Sequence, residues 1–262
     1  MSTYVIGDIH GCYAELQDML SLIGFNDKDQ LILIGDYIDR GKQSYEMCEW
    51  LLNTSNNIIT LIGNHEKEFI AYVNMMIDIN EREELHSSYN SNEDSKLLYD
   101  SCLYYIKKKN PLGLLYFDAY GTIYDFIFNK SVPIAKLLQY SDRFLIMPYL
   151  YRINNIVCVH AGFIDSECNL GSKYNSLEDF YLYARSDAYK IGGCQDGVII
   201  AGHTPTIEKS ETCYNDGDIF HYYNPISNCN YYNIDGGIVF RDEDPSAQLC
   251  CLRLDDMKEY YI

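Results

Sequence analysis

"QLILIGDYIDRGKQSYEMCEWLLN", residues 30 to 53, begins as a β-rich apolar run, leaves it through a glycine-bounded loop holding two aspartates and an arginine, and ends in apolar residues at helical spacing. The same order recurs upstream, in "TYVIGD" followed by "CYAELQDMLSLIGF", and downstream, in "NIITLIGNHE" followed by "KEFIAYVNMMI". Such strand, loop and helix units in succession predict an α/β arrangement with largely parallel first strands. "NIVCVHAG", "DGVIIAGHT", "NYYNIDGGIVF" and "AQLCCLRL" read as later strands joined mainly by loops, which predicts a second, mixed sheet packed on the first. The expected fold class is α/β: a four-layer α/β/β/α sandwich of two mixed sheets flanked by helices. No Pro/Gly/Ser-rich linker divides residues 1–262, so a single domain is expected.

Between residues 80 and 115 the pattern becomes helical with interruptions, and a variable helical insertion is expected there. Its polar start, "NEREELHSSYNSNEDS", has few large apolar residues and reads as mobile. "SKLLYDSCLYYIKKK" and "VPIAKLLQYSDRFL" carry helical spacing, with Pro133 suited to a first turn.

A formal net charge of −18 argues against a nucleic-acid platform built on nonspecific phosphate contacts. Phosphate chemistry stays open, because multivalent cations held in a cleft reverse the local field. The 10 cysteines lack a CxxC pair or His/Cys zinc spacing, so they read as reduced, mostly buried thiols. "MSTYVIGDIHG" has no basic region ahead of an apolar signal core, and no apolar run is long enough to cross a bilayer. A soluble cytoplasmic protein with no membrane partner is expected, its oligomeric state not legible.

The chemistry gathers at the strand exits: "GDIHG" at 7 to 11, "GDYIDRG" at 35 to 41, "GNHE" at 63 to 66, "HAG" at 160 to 162 and "GHT" at 202 to 204. In open α/β sheets the carboxyl ends of strands are where ligand sites form. His86 and His221 lie in polar surroundings elsewhere and carry no such signal. Each short motif alone is readily a turn or a cap, and Gly63 is expected to turn the chain through positive φ. All five in order at strand exits are not explained by turns. Converging Asp, Asn and imidazole groups suit divalent first-row metals, and their number exceeds one tetrahedral shell, which predicts a dinuclear centre.

In order and spacing these motifs resemble the calcineurin-like metallophosphoesterases, particularly the PPP phosphoprotein phosphatases and the small bacterial and phage serine/threonine phosphatases. The resemblance runs from residue 5 to residue 240 and leaves residues 80 to 115 outside it. "AYGTIYDF" and "YNIDGGIVF" also resemble family segments, with Gly236 where the family usually has a threonine, a departure read as structural. The resemblance implies two divalent ions, manganese expected and iron or zinc compatible. It implies Asp8 and His10 on the first, Asp36 bridging, and Asn64, His160 and His203 on the second. It further implies His65 as general acid oriented by Asp39, with Arg40 and, through "YARSDAY", Arg185 as phosphate clamps. Glu66 is expected to favour its helix N-terminus electrostatically.

The activity so implied is phosphomonoester hydrolysis by a metal-bridging hydroxide, with phosphoserine and phosphothreonine in proteins as the favoured substrates. "GDIHGCYAEL" also resembles the opening of symmetrical dinucleoside tetraphosphate hydrolases, which makes that reaction the alternative; a nucleoside pocket built by the middle helices would serve it. A catalytically silent phosphoprotein-binding protein is the alternative of another class, and it should have lost a ligand or the acid. None of Asp8, His10, Asp36, Asp39, Arg40, Asn64, His65, His160 and His203 is missing.

Overall fold

The computed structural model describes residues 1–82, 88–109, 118–165, 170 and 173–262. Its first part alternates β1 (Thr3–Ile6), α1 (Tyr13–Leu22), β2 (Gln30–Leu33), α2 (Ser44–Leu52), β3 (Ile58–Thr60) and α3 (Asn64–Arg82). The helices α4 (Asn92–Lys109), α5 (Ala119–Tyr124) and α6 (Ile134–Leu145) follow. Next come β4 (Leu150–Ile153), β5 (Ile156–Val159), α7 (Leu177–Tyr183), α8 (Asp187–Lys190) and β6 (Val198–Ala201). The chain ends in β7 (Phe220–Asn224), β8 (Cys229–Asn233), β9 (Cys250–Arg253) and β10 (Lys258–Tyr261).

Two five-stranded sheets result, ordered β10-β9-β1-β2-β3 and β4-β5-β6-β8-β7. β1, β2 and β3 are parallel, as the repeated strand, loop and helix units predict, while β9 joins β1 antiparallel and β10 in turn pairs antiparallel with β9. In the second sheet β5, β6 and β8 are parallel and the edges β4 and β7 antiparallel. The edge strands "LYRI", "FHYYN" and "KEYY" interleave polar residues with partly exposed apolar ones, which is why no apolar run announces them.

Alternation along each strand sorts the core into layers. Val5, Ile32, Ile34 and Leu61 from the first sheet meet Cys158, Ile200 and Ile234 from the second in a dry seam between them. Their neighbours Tyr4, Ile6, Leu31 and Leu33 face Leu16, Met19, Met47 and Leu51 of α1 and α2. On the far side Val157, Val159, Ile199 and Tyr231 face Phe180, Ala184 and Ala188. The four layers of the expected sandwich are therefore present.

Pro133 lies just ahead of α6, as its extended N-cap, rather than inside the first turn. Part of the expected insertion is ordered helix: α4 buries Leu98, Tyr99, Cys102 and Ile106 in the same core as Tyr72 and Phe69 of α3. Tyr99 makes ring contacts with Tyr72, Tyr120, Tyr124 and Phe128, so these tyrosines serve packing. His86 lies outside the described residues, and His221 stacks on Tyr232 in exposed β7. Among the described residues nine cysteines are unpaired and all but Cys12 are buried; no helix is long and apolar enough to cross a membrane.

Candidate metal centre

Parallel strands end on one edge of each sheet, and face-to-face packing brings the two edges together. Asp8 and His10 leave β1, Asp36, Asp39 and Arg40 leave β2, and Asn64 and His65 open α3 after β3. His160 leaves β5 and His203 leaves β6. Five of these residues hold left-handed backbone without being glycine: His10 (φ 46), Asp36 (φ 53), Asp39 (φ 71), Arg40 (φ 67) and His203 (φ 69). Such conformations cost energy for residues with a Cβ and persist where surrounding structure dictates them, so their concentration here marks a functional site.

Asp36 is the pivot. Its Oδ1 accepts from the His65 amide (3.1 Å) at the start of α3, where unsatisfied N–H groups favour an anion. Its Oδ2 lies 3.4 Å from His160 Nε2, 3.6 Å from His10 Nε2 and 3.8 Å from His65 Nε2. Two donor groups thus share it: His10, Asp36 and His65, and Asp36, His160 and His203, each with ligand atoms within 4.8 Å of one another. Burial alone would raise the Asp36 carboxyl, but the charge that the imidazoles of His160, His65, His10 and His203 carry when protonated outweighs it and pulls the group well below the usual carboxylate range.

The imidazoles are oriented for ligation. His10 Nδ1 donates to the Ile38 carbonyl (2.9 Å) and His160 Nδ1 to the Ile34 carbonyl (3.1 Å), which leaves each Nε2 as a lone pair facing inward. His160 Nε2 then sits 3.0 Å from Asn64 Oδ1 and 3.2 Å from His203 Nδ1. Lone pairs of an imidazole, an amide oxygen and the Asp36 carboxylate converging without a proton between them fit a cation. Burial lowers the pKa of His10, His160 and His203, keeping them in the neutral form that binds metal. Asp8 accepts from the His203 amide through both oxygens (3.2 and 3.1 Å), and burial, Asp235 and Asp36 push its carboxyl well up. Crowded buried carboxylates of this kind repel one another unless a cation joins them.

His65 lies against the His10 ring, with centroids 4.6 Å apart, but is held by a different partner. Its Nδ1 donates to Asp39 Oδ2 at 2.7 Å, and its Nε2 points to Arg40 Nη2 at 3.1 Å. Burial disfavours its cation, but Asp36 and the hydrogen-bonded Asp39 dominate and lift it to about 9. The Arg40 guanidinium also approaches His10 Nε2 (3.0 Å) and Asp118 (3.3 Å). Arg185, between α7 and α8, reaches the same cleft and faces Glu211 at 3.6 Å and Glu208 at 4.0 Å.

Two sequence expectations for "GNHE" change. Gly63 has no positive φ; a Cβ there would lie 2.1 Å from Asp36 Oδ1 and 2.4 Å from Asp36 N, so the glycine is required by the close approach of the pivot carboxylate. Glu66 does more than favour a helix terminus: its fully buried carboxylate accepts from the amides of Gly63 (3.0 Å), Asp36 (2.9 Å) and Tyr37 (2.8 Å), tying two strand exits together. Gly236 is structural, as read, since a Cβ would lie 2.4 Å from the Gln248 carbonyl. Asp235, beside Asp8 and lifted by burial to about 7, was not singled out; its aspartate within "YNIDGG" was the available signal.

The residues meet in a cleft of about 660 Å³ lined by buried Asp36, Asn64 and His65, by half-buried His203 and, at its edge, by exposed Arg40 and Arg185. The rest of its lining is Glu68, Asp118, Tyr183, Pro205, Ile207, Glu208, Phe240, Glu243 and Asp244, all half-buried or exposed. No described residue of α4 lines it, but a neighbouring cavity of about 450 Å³ shares Arg40 and Asp118 with it and is lined by Gly121 and Thr122 of α5 and by Asp125 and Phe126, so the middle helices do supply a wall beside Arg40.

The family described as calcineurin-like phosphoesterase matches residues 1–239. Over 99 residues the chain is 40% identical to the symmetrical bis(5'-nucleosyl)-tetraphosphatase of Wigglesworthia glossinidia brevipalpis, covering 37% of this chain and 36% of the relative. The protein of the same name from Erwinia tasmaniensis is 46% identical over 72 residues, 27% of this chain and 26% of that one. The matched stretches span about a third or less of those relatives. Two solved structures share the fold at low identity. A metallophosphoesterase from Sphaerobacter thermophilus has a TM-score of 0.53 at 16% identity over 100% of this chain and 88% of that chain. A protein serine/threonine phosphatase from Saccharomyces cerevisiae has a TM-score of 0.52 at 15% identity over 100% of this chain and 79% of that chain.

Proposed function

The chain belongs to the calcineurin-like phosphoesterase family, and from that premise we propose that it is a metal-dependent hydrolase that splits dinucleoside tetraphosphates symmetrically into two nucleoside diphosphates. The observation that carries the hydrolytic part is Asp36, one carboxylate shared by two sets of imidazoles beside the His65–Asp39 pair. The substrate rests on the relatives' name, which displaces the phosphoprotein favoured by sequence alone to second place.

In this reading Asp8, His10 and Asp36 would hold one divalent ion and Asp36, Asn64, His160 and His203 would hold the other, with manganese expected. When bound, such ions neutralise phosphate oxygens and lower the pKa of water toward neutrality. The chain's own groups supply the rest. Arg40, whose guanidinium already points at the centre, donates to non-bridging phosphate oxygens, and Arg185 does so from the facing loop. Water adds at a central phosphorus and the anhydride P–O bond breaks. His65 gives its Nε2 proton to the departing diphosphate, because Nδ1 is committed to Asp39.

One observation favours the second reading, a phosphoserine or phosphothreonine protein phosphatase. Glu68, Asp118, Glu208, Glu243 and Asp244 rim the cleft, a charge that suits a basic peptide better than a tetraphosphate. Metal-loaded protein incubated with diadenosine tetraphosphate or with a basic phosphopeptide decides. Release of ADP alone, abolished by chelation and restored by manganese, is the expected result; phosphate release from the peptide with the dinucleotide left intact overturns it.

A further inference from the structure

The outer wall of the cleft carries an apolar surface that the hydrolytic chemistry leaves unused. Phe240 ends a short 3-10 turn, Ile238–Phe240, entered through Gly237 at φ 71. A Cβ on Gly237 would lie 2.8 Å from Ile207 Cδ1 and 3.3 Å from Pro205 Cβ, so the bare glycine lets Ile207 and Pro205 close against the turn. Phe240, Ile207 and Pro205 are each half-buried and line the cleft together. Their position is tied to the phosphate site, since the Arg40 guanidinium carbon lies 5.8 Å from the centre of the Phe240 ring. Beyond the ring, the Phe240 carbonyl accepts from the amides of Glu243 (2.9 Å) and Asp244 (2.8 Å), which fixes their backbone in a turn at the end of the same wall.

An aromatic face one guanidinium away from the reacting phosphates suits a flat apolar group joined to a phosphate chain. We propose that Phe240, Ile207 and Pro205 form the shelf on which a purine base of the substrate stacks, with Glu243 and Asp244 accepting from its amine edge. This rests on the nucleotide reading above and adds to it the place of the base. Base–aromatic stacking contributes enough for alanine substitution to weaken binding about tenfold or more. Adenine offers an exocyclic amine to a carboxylate, whereas uracil offers none and presents a smaller face.

The test is competitive inhibition of p-nitrophenyl phosphate hydrolysis by ADP, UDP and inorganic diphosphate at fixed free manganese. Comparing inhibitors within one variant cancels any effect of the substitution on turnover. Wild-type protein should bind ADP about tenfold more tightly than diphosphate, with UDP between them. Phe240→Ala and Phe240→Leu should both bring ADP to within about twofold of diphosphate, while Phe240→Trp keeps the difference. Phe240→Leu retains apolar volume and covers the case in which the alanine variant fails to fold. Equal inhibition by ADP and diphosphate in the wild type overturns the shelf, as does an ADP preference that survives loss of the ring. If the ADP preference behaves as expected but diadenosine tetraphosphate is not cleaved, the shelf stands and the tetraphosphatase reading falls.

Discussion

The inner and outer walls of the cleft are built by different rules. On the inner wall the buried polar side chains are each fixed by a hydrogen bond, His10 by Ile38, His160 by Ile34, Asp36 by the His65 amide and Asp8 by the His203 amide, and His10 and Asp36 are held by left-handed backbone as well. On the outer wall Glu208 and Glu243 are exposed, and Glu68 and Phe240 are half-buried. The inner wall tolerates few residue types at each position and so is written as short motifs. The outer wall is set by loops whose side chains have freedom, so it has no motif, and on the proposed reading it is the wall that discriminates among phosphoesters.

The first turns of α3 cross from one wall to the other, so substitutions along them grade the difference. The largest effect is expected at its buried start. His65→Asn should slow hydrolysis of a phosphomonoester with an alkoxide leaving group by about 100-fold or more, while metal content by elemental analysis stays at the wild-type level. The loss should be smaller for p-nitrophenyl phosphate, whose leaving group needs less protonation. A parallel fall in bound metal would make His65 a ligand of the His10–Asp36 group and erase its difference in role from the other rings. One residue on, Glu66→Gln presents an NH₂ group where backbone amides require acceptors. Thermal unfolding at matched metal should show a loss of about 3 kcal/mol, with weakened metal retention because Asp36 is no longer pinned. Unchanged stability and retention would show that the inner wall does not depend on this brace.

These residues also show how far the sequence could be read. The strands β1, β2 and β3, their parallel order and the nine motif residues from Asp8 to His203 were legible because apolar runs, turn glycines and ligand types coincide at each strand exit. Arg185 was legible only through the short "YARSDAY", and the structure brings it to the cleft edge among Glu208 and Glu211. The role of Glu66 was not, since its partners Asp36 and Tyr37 lie 30 and 29 positions away. Gly63 was read through its own backbone freedom when its cause is another residue's carboxylate. Phe240 comes from one loop and Pro205 and Ile207 from another, and the two meet only in three dimensions, so no pattern in the chain joins them.

The smallest expected effect lies farthest out, at Glu68. Burial raises its carboxyl, Asp39, Asp118 and Asp36 add to the rise, and His65 opposes it, leaving the group at about 7. The side chain is therefore mostly neutral at about pH 6 and mostly anionic at about pH 8. A phosphate dianion entering the cleft meets one more negative charge at the higher pH. KM for p-nitrophenyl phosphate should rise a few-fold across that window, and Glu68→Gln should remove the rise without altering metal content. The same shift acts on folding. Because the folded value lies above the unfolded one of 4.5, the folded chain holds the proton more tightly, and Glu68 lowers stability as pH rises from 4.5 to about 7. Glu68→Gln should lose that part of the pH dependence of unfolding. A KM profile in the variant that parallels the wild type would mean that charge on the outer wall does not reach the substrate, and the division of labour between the walls would then rest on shape alone.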